Sequence, residues 1–240
     1  MLHKIRLREK ARTVFGVCIS QKKDGLTQQR TYTMSKASLE SFAIFCKGVN
    51  FSMEEEISLA LEFGGKLAGI QSYNENKEPH GPWEYYQEGM LIAKGNREKS
   101  EKQGTWEYYE NGRLKEKINY DAGKKHGHYF SMEYEGKDFK IQIGKYDQGQ
   151  KTGEWQIQEP GKSQKGVYVN DKKQGIWATR NSKGKIVSWE DFNEGEIQVS
   201  GKGVEELKRY LKILTKANVM LKRAGIPKIE QPLNVPNIGL

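Results

Sequence analysis

A nine-residue phrase occurs twice in this chain, 23 residues apart. The pattern G-x-W-E-Y-Y-x-x-G runs from Gly81 to Gly89 and again from Gly104 to Gly112. Self-similarity at a fixed period of about 20 to 50 residues is typical of repeat proteins, in which each unit buries its apolar face against its neighbours. We therefore expect copies of one small unit to build most of the chain.

Shorter versions of the phrase extend the series. The shared core is a glycine, any residue and an aromatic, and these structural anchors recur at spacings of 23, 23, 26 and 22 residues: Gly81/Trp83, Gly104/Trp106, Gly127/Tyr129, Gly153/Trp155 and Gly175/Trp177. A second glycine follows each anchor by eight or nine residues, at Gly89, Gly112, Gly136, Gly161 and Gly184. The series predicts at least five units.

Each unit has the pattern of a β-hairpin. Trp83 and Tyr85 are two residues apart, which places both rings on one face of a strand. The Glu88-Gly89 pair predicts the reversing turn, because glycine accepts the positive φ that tight turns require. Lone hairpins are marginal in water, whereas several in series stabilise one another.

Composition favours a thin β structure. The 240 residues are only 35% hydrophobic, yet they include 12 Tyr, 8 Phe, 5 Trp and 26 Gly. Aromatics favour strands and glycines favour turns. The sequence therefore predicts a mainly β fold, an elongated antiparallel meander of hairpins.

The consensus G-x-W-x-x-Y-x-x-G-x-L followed by Y-x-x-G-K-x-x-G resembles the MORN-variant repeat of bacterial YwqK-family antitoxins. The resemblance covers about residues 57–195, beginning with a degenerate strand in which Leu59, Leu61 and Phe63 alternate before a turn at Gly64-Gly65. It weakens at Tyr129, over residues 130–143 and over residues 161–166. The resemblance implies a non-enzymatic, antitoxin or immunity-type protein that masks a protein partner.

Three segments follow from these patterns: a basic N-terminal segment or cap (1–53), the MORN-like hairpin repeats (54–200), and a C-terminal capping helix with an extended tail (201–240). In the first segment we expect strands over Thr13–Ser20 and Thr31–Met34, joined at Asp24-Gly25. The stretch Ser35–Cys46 fits either a short helix or a strand.

The last segment has the signals of an α-helix from about Gly203 to Ala224. Apolar residues recur at steps of three and four, Glu205 and Glu206 lie in the first turn, and Gly225 and Pro227 follow the end. We expect this helix to cap the open end of the sheet. The alternative is a dimerising coiled coil with Asn218 at the seam.

Positive charge is concentrated at the two ends. Of the formal net charge of +9, residues 1–53 carry +7 and residues 201–240 carry +5, which leaves −3 for the middle. Such an asymmetry is compatible with binding to nucleic acid or to an anionic membrane surface. The residues that would make these contacts are Lys4, Arg6, Arg8, Lys10, Arg12, Lys22, Lys23, Lys208, Arg209 and Lys212.

No catalytic constellation is evident in the sequence. The four histidines have no metal-ligand spacing with Cys18 or Cys46, and neither a phosphate-binding loop nor a nucleophile elbow occurs. We therefore predict a protein without enzymatic activity, metal or cofactor. The two isolated cysteines and the lack of an apolar run long enough to span a membrane suggest the cytoplasm.

Candidate partner-binding residues lie between the anchors. Tyr86 and Tyr109 are predicted to face away from Trp83 and Trp106, and tyrosine is enriched where protein partners dock. Glu84 and Glu107 occupy equivalent positions in adjacent units and are expected to form an acidic ladder on that same face. The alternative is that an end segment covers these residues.

Overall fold

The computed structural model describes residues 8–10, 14–23, 25–46, 52–224 and 227. The chain divides into two compact units, residues 1–124 (unit 1) and 125–240 (unit 2). In both units nearly every described residue outside the turns lies in a strand or a helix, and all strand pairs with a described register are antiparallel.

The described residues of unit 1 form eight strands and two helices. Along the chain these are β1 (Arg8–Lys10), β2 (Val14–Lys23), β3 (Leu26–Met34), α1 (Lys36–Phe45), α2 (Met53–Glu62), β4 (Lys66–Tyr73), β5 (Gly81–Gln87), β6 (Met90–Glu98), β7 (Glu101–Glu110) and β8 (Arg113–Asp121). Each strand pairs with the next one in the chain, so the unit is a meander.

In unit 2, the part of the chain that the structure describes forms seven strands and one long helix. They are β9 (Lys124–Glu135), β10 (Asp138–Asp147), β11 (Gln150–Glu159), β12 (Lys162–Val169), β13 (Lys172–Asn181), β14 (Ile186–Asn193), β15 (Glu196–Lys202) and α3 (Gly203–Arg223). Sequential antiparallel pairing again gives a meander. The predicted mainly β fold of antiparallel hairpins with a C-terminal helix is confirmed.

Tight turns join the strands at both ends. At the predicted turn, Asn111 and Gly112 have φ of 50° and 74°, as a two-residue hairpin turn requires. The segments that join one hairpin to the next are turns as well, since Ala122 and Gly123 have φ of 45° and 77°. The strands are therefore longer than the sequence pattern suggested, and the anchor glycines, such as Gly104, lie inside them.

The anchor tryptophans form the core of the repeats, on what we call the tryptophan face of each unit. Trp106, Trp155 and Trp177 are at most 1% exposed. Each indole nitrogen donates to a backbone carbonyl ten residues earlier, with N–O distances of 2.9, 3.2 and 3.1 Å. Burial without loss of the indole hydrogen bond explains why tryptophan suits this position.

Two helices follow β3, and one of them corrects the sequence prediction. Ser35 caps α1, which settles the ambiguous stretch as a helix. The prediction of a strand from Ile57 to Phe63 is wrong, because these residues belong to α2 and the turn after it. Ser52 and Glu55 form a capping box that starts α2, and Ala60 is fully buried in its packing. The hairpin series therefore begins with β4.

The two helices of unit 1 cover one face of its first strands. Phe42 of α1 and Ala60 of α2 join a core cluster with Ile19, Tyr32 and Met34 from β2 and β3. Following the alternation through the registers places these strand residues opposite the tryptophan face. The N-terminal segment thus packs on the sheet face that carries Tyr86.

Helix α3 covers the face of unit 2 that lies opposite its tryptophan face. Leu207 is fully buried against Ile176, Ile186 and Trp189, with Tyr210 at the edge of this cluster. The predicted bounds of the helix were correct to one residue. The helix packs across the face of β13, β14 and β15, whereas the sequence suggested a cap over the end of the sheet. Asn218, the proposed dimer-seam residue, is 7% exposed in the single chain.

Candidate functional site

The candidate site in unit 1 lies opposite the tryptophan face on β5–β8. Strand alternation places Glu84 and Tyr86 on this side of β5, and Glu107 and Tyr109 on the same side of β7. In each strand the tyrosine hydroxyl donates to the carboxylate two residues earlier, at 2.5 Å from Tyr86 to Glu84 and 2.7 Å from Tyr109 to Glu107. The predicted orientation of these side chains is therefore confirmed.

Two lysines complete this group, which we call the Tyr–Glu surface: Glu84, Tyr86, Lys94, Glu107, Tyr109 and Lys117. Lys94 of β6 lies opposite Glu84 in one register and opposite Glu107 in the next. Lys117 of β8 lies opposite Glu107 from the other side. Glu84 and Glu107 therefore lie on the predicted face, but Lys94 lies between them, so the two carboxylates do not form the expected acidic ladder.

Glu107 is the centre of the network. Its carboxylate accepts the Tyr109 hydroxyl and lies 3.2 Å from Lys94 Nζ and 3.0 Å from Lys117 Nζ. These contacts, with the Tyr109 hydrogen bond first, lower the pKa of Glu107 to about 2. The same pairing raises the pKa of Lys94. The carboxylate is therefore ionised and held in place across the ordinary pH range.

Tyr86 is in a different environment. Burial and the hydrogen bond to Glu84 raise its pKa to about 12, and charges at Arg30 and Tyr32 also act on it. Arg30 and Tyr32 belong to β3, beside the helix-covered part of unit 1. Tyr86 thus lies at the border of the covered face, whereas Lys94 and Lys117 keep 44% and 51% of their side chains exposed.

The structure describes only some of the basic residues that were predicted to contact nucleic acid or a membrane. Lys4, Arg6 and Arg12 lie outside the described residues, and for Arg8, Lys10 and Lys23 only the backbone is described, in β1 and β2. Lys22 is exposed on β2. On α3, Lys208 pairs with Glu205 at 3.6 Å, and Arg209 and Lys212 are exposed. Of the described basic side chains, Lys22 therefore belongs to unit 1, and Lys208, Arg209 and Lys212 belong to unit 2.

A lysine four positions before the anchor ring is a second recurring residue of the repeats. It was not predicted from the sequence. The ammonium group lies over that ring at centroid distances of 4.6, 5.7, 4.6 and 4.4 Å for Lys102/Trp106, Lys125/Tyr129, Lys151/Trp155 and Lys173/Trp177. Such cation–π contacts are attractive. The regular spacing from the anchors was a signal that could have identified these lysines.

A third class is a glycine eleven positions before an anchor tryptophan. A Cβ added at Gly95, Gly144 or Gly166 would lie 2.3, 2.2 and 2.2 Å from the ring of Trp106, Trp155 and Trp177 respectively. Only glycine lets the indole lie flat on the neighbouring strand. From the sequence, only the anchor and turn glycines were predicted to be structural, although these three glycines have the same offset of eleven residues from their tryptophans.

Among the described residues, no group of three or more His, Cys, Asp or Glu is placed to hold a metal ion. Within the same ranges, no helix has the length and apolar character needed to cross a membrane. No protein-family model matches the chain, and no curated protein matches it significantly.

Proposed function

We propose that this chain is a non-enzymatic interaction scaffold that binds another protein through the Tyr–Glu surface of unit 1. The observation that supports this most directly is the ordered network around Glu107. Two tyrosines and four charged groups are fixed by mutual hydrogen bonds and ion pairs on a sheet face. Fixed aromatic and charged groups lose little conformational entropy when a partner docks.

The Tyr–Glu surface belongs to only two of the repeats. Three positions after the anchor, the residues in successive units are Tyr86, Tyr109, Met132, Gln158 and Arg180. A purely structural role in the repeat would place the same residue type in every unit. The restriction of the Tyr–Glu pairs to β5 and β7 therefore favours recognition of a partner over a requirement of the fold.

The biological role that we propose is that of an antitoxin or immunity-type protein in the cytoplasm. The support for this role is the resemblance of the hairpins to the MORN-variant repeat. A masking protein needs a rigid surface and no catalytic group, and a meander with tight turns supplies such a surface.

The test is capture of a partner with matched variants of the full chain. Wild type, a Tyr86→Ser/Tyr109→Ser double variant and a Gln158→Ser control would be used as baits in lysate of the native host. Gln158 occupies the unit-2 position that Tyr109 occupies in unit 1. We expect a stoichiometric protein to be retained by wild type and by the control, and lost with the double variant.

Two results would contradict the proposal. One is the absence of any stoichiometric partner, and the other is equal recovery with the double variant, provided that circular dichroism shows all three baits folded. The antitoxin role has its own test, since the partner expressed alone should arrest growth and co-expression of this chain should relieve it. A partner without toxicity would leave the scaffold proposal standing and remove the antitoxin role.

Binding of nucleic acid or of an anionic membrane through the basic ends is the alternative proposal. Counterion release makes such binding fall steeply with salt. A capture experiment in which the retained species is nucleic acid, released by moderate salt and unaffected by the tyrosine variants, would favour this alternative.

A further inference from the structure

The second ring of the repeat motif is missing in unit 2. Two residues after the anchor aromatic, the first two repeats have Tyr85 and Tyr108, but the next three have Ser131, Ile157 and Thr179. In unit 1, Tyr85 lies beside the next anchor ring, 6.3 Å from Trp106 between centroids. Smaller side chains at this position leave space on the tryptophan face of unit 2.

A cavity occupies this part of unit 2. Its volume is about 490 Å³, and Ile157 and Thr179 are among the residues that line it. Small-molecule sites typically have volumes of about 300 to 1,000 Å³. The cavity is therefore large enough for a small ligand.

Four lysines line the cavity at a constant sequence interval. Lys140, Lys151, Lys162 and Lys173 are eleven residues apart and belong to four consecutive strands, β10 to β13. Glu159 is the single acidic residue of the lining, so the formal net charge there is +3. The registers place Lys140 and Lys162 near one end of the strands and Lys151 and Lys173 near the other.

Most of this positive charge is not neutralised. Glu159 pairs with Lys162 at 2.8 Å, whereas Lys140, Lys151 and Lys173 form no ion pair within the part of the chain that the structure describes. Three further carboxylates lie near these lysines: Asp171 accepts the backbone N–H of Lys151 at 2.7 Å, Glu190 acts on Lys173 electrostatically, and Glu133 of β9 lies opposite Lys140 in the strand register.

The ammonium groups of Lys151 and Lys173 are held over aromatic rings. Lys151 Nζ lies 4.6 Å from the ring centroid of Trp155 and 5.2 Å from that of Tyr168, and Lys173 Nζ lies 4.4 Å from that of Trp177. Burial lowers the pKa of Lys151 and Lys173, and neighbouring lysines lower both further. Mutual repulsion between fixed cations costs free energy that a bound anion would recover.

We propose that this cavity of unit 2 binds a small phosphorylated molecule with at least two phosphate groups, held between the Lys140/Lys162 end and the Lys151/Lys173 end. Lysine is a common phosphate ligand because its ammonium group offers three donors and a compact charge. The site is independent of the Tyr–Glu surface, which lies in unit 1.

The test is calorimetric titration of the full chain with pyrophosphate, and with inorganic phosphate as the single-group comparison. We expect saturable binding of pyrophosphate at one site and markedly weaker binding of phosphate. Lys140→Gln and Lys151→Gln should each weaken pyrophosphate binding about tenfold or more, since a charge-assisted hydrogen bond contributes roughly 1.5 to 3 kcal/mol.

Two matched variants distinguish binding in the cavity from a general attraction of anions to the basic chain. Lys102→Gln removes an equivalent ring-stacked lysine from unit 1 and should leave the affinity unchanged. Ile157→Tyr restores the ring that the first two repeats carry, so the variant should stay folded while filling the cavity. We expect it to abolish pyrophosphate binding without lowering the melting temperature.

The proposal is overturned by absence of saturable heat with pyrophosphate or by equal affinity for phosphate. Equal weakening in Lys102→Gln and Lys151→Gln would show only general attraction of anions, and it would overturn the proposal as well. So would unchanged binding in a folded Ile157→Tyr variant. Binding of an oligonucleotide through these lysines, with no binding of pyrophosphate, would reject the small ligand in favour of nucleic acid.

Discussion

The indole of Trp106 lies directly on the backbone of Gly95, so closely that a Cβ at Gly95 would lie 2.3 Å from ring atom Cδ2. Real Cβ atoms do not approach carbon atoms this closely, because repulsion rises steeply below van der Waals contact. The same relation joins Gly144 to Trp155 and Gly166 to Trp177. Each of these rings therefore packs directly against the backbone of its neighbouring strand, at the glycine.

Gly95→Ala should lower the free energy of unfolding by about 1 to 3 kcal/mol, the usual cost of overpacking a core. The cause is steric, because a shift of the buried indole would also strain its hydrogen bond to the Asn96 carbonyl. Urea denaturation of wild type and variant measures the loss. In a Trp106→Tyr background the same substitution should cost less, and equal costs in both backgrounds would contradict the steric explanation.

Glu107→Gln should change how stability depends on pH. The folded-state pKa of Glu107 is about 2, below the ordinary value of about 4.3 for an unfolded chain. The carboxylate therefore contributes stability above the unfolded pKa, and this contribution is lost as pH falls from about 4.3 toward 2. The variant should be less stable near neutrality, by roughly 1 kcal/mol for a solvent-screened network, and its stability should fall less over that acid range.

Glu110→Gln is the control for this pH experiment. Glu110 also pairs with a lysine, Lys115 at 3.2 Å, but its side chain is 59% exposed. Exposed ion pairs contribute little to stability. Melting temperatures measured from pH 2 to neutrality should show parallel curves for wild type and Glu110→Gln, and parallel curves for Glu107→Gln would show that the Glu107 network does not stabilise the fold.

Tyr210→Phe should destabilise the docking of α3 on unit 2. The Tyr210 hydroxyl donates to Asp191 at 2.6 Å, and burial raises the pKa of this aspartate while the hydrogen bond opposes that rise. Without the hydroxyl, a buried carboxylate loses its donor, at a cost of about 1 to 3 kcal/mol. Because the folded-state pKa is then raised further, the loss should shrink as pH falls low enough to protonate Asp191, and chemical denaturation at two pH values checks this.

Leu207→Ala should open a gap between α3 and the sheet. Leu207 is fully buried against Trp189 and its neighbours, so truncation should cost about 2 to 5 kcal/mol. The control is Met220→Ala on the same helix, because Met220 is 70% exposed and should change stability little. Thermal denaturation separates the two, and similar losses would mean that α3 contributes little through this cluster.

Removal of residues 203–240 should cause self-association. Without α3, the apolar face of Ile176, Ile186 and Trp189 would be exposed to water, and exposed apolar patches promote association between molecules. Light scattering of the truncated and full-length chains measures this. A truncated chain that stays monomeric and equally stable would show that α3 does not protect the sheet.

The hairpins were predictable because their information is local. Anchor and turn glycines such as Gly104 and Gly112 mark positions of positive φ, and a ring two residues from another shares its face. The same local alternation misled at Ile57–Phe63, where a capping box at Ser52 and packing of Ala60 favour a helix. Short apolar runs do not distinguish the two structures by period.

For the candidate site, the sequence alone predicted the side of the sheet on which the residues lie, but it did not predict their neighbours on adjacent strands. Strand alternation was sufficient to place Tyr86 and Tyr109 together with Glu84 and Glu107. The neutralisation of Glu107 by Lys94 and Lys117 depends on the pairing register and on the bulges that shift it. Such cross-strand neighbours are set by which strands meet, and a linear pattern does not contain that information.

The sequence by itself determined the repeat, its hairpins and the C-terminal helix, because turn conformation and side-chain alternation follow from residues close along the chain. Only the tertiary structure decided which faces the helices cover, that Gly95 forms the floor under Trp106, and that the lysines of β10–β13 surround a cavity. These features depend on volume and charge brought together across strands, so they arise only when the strands are paired in register.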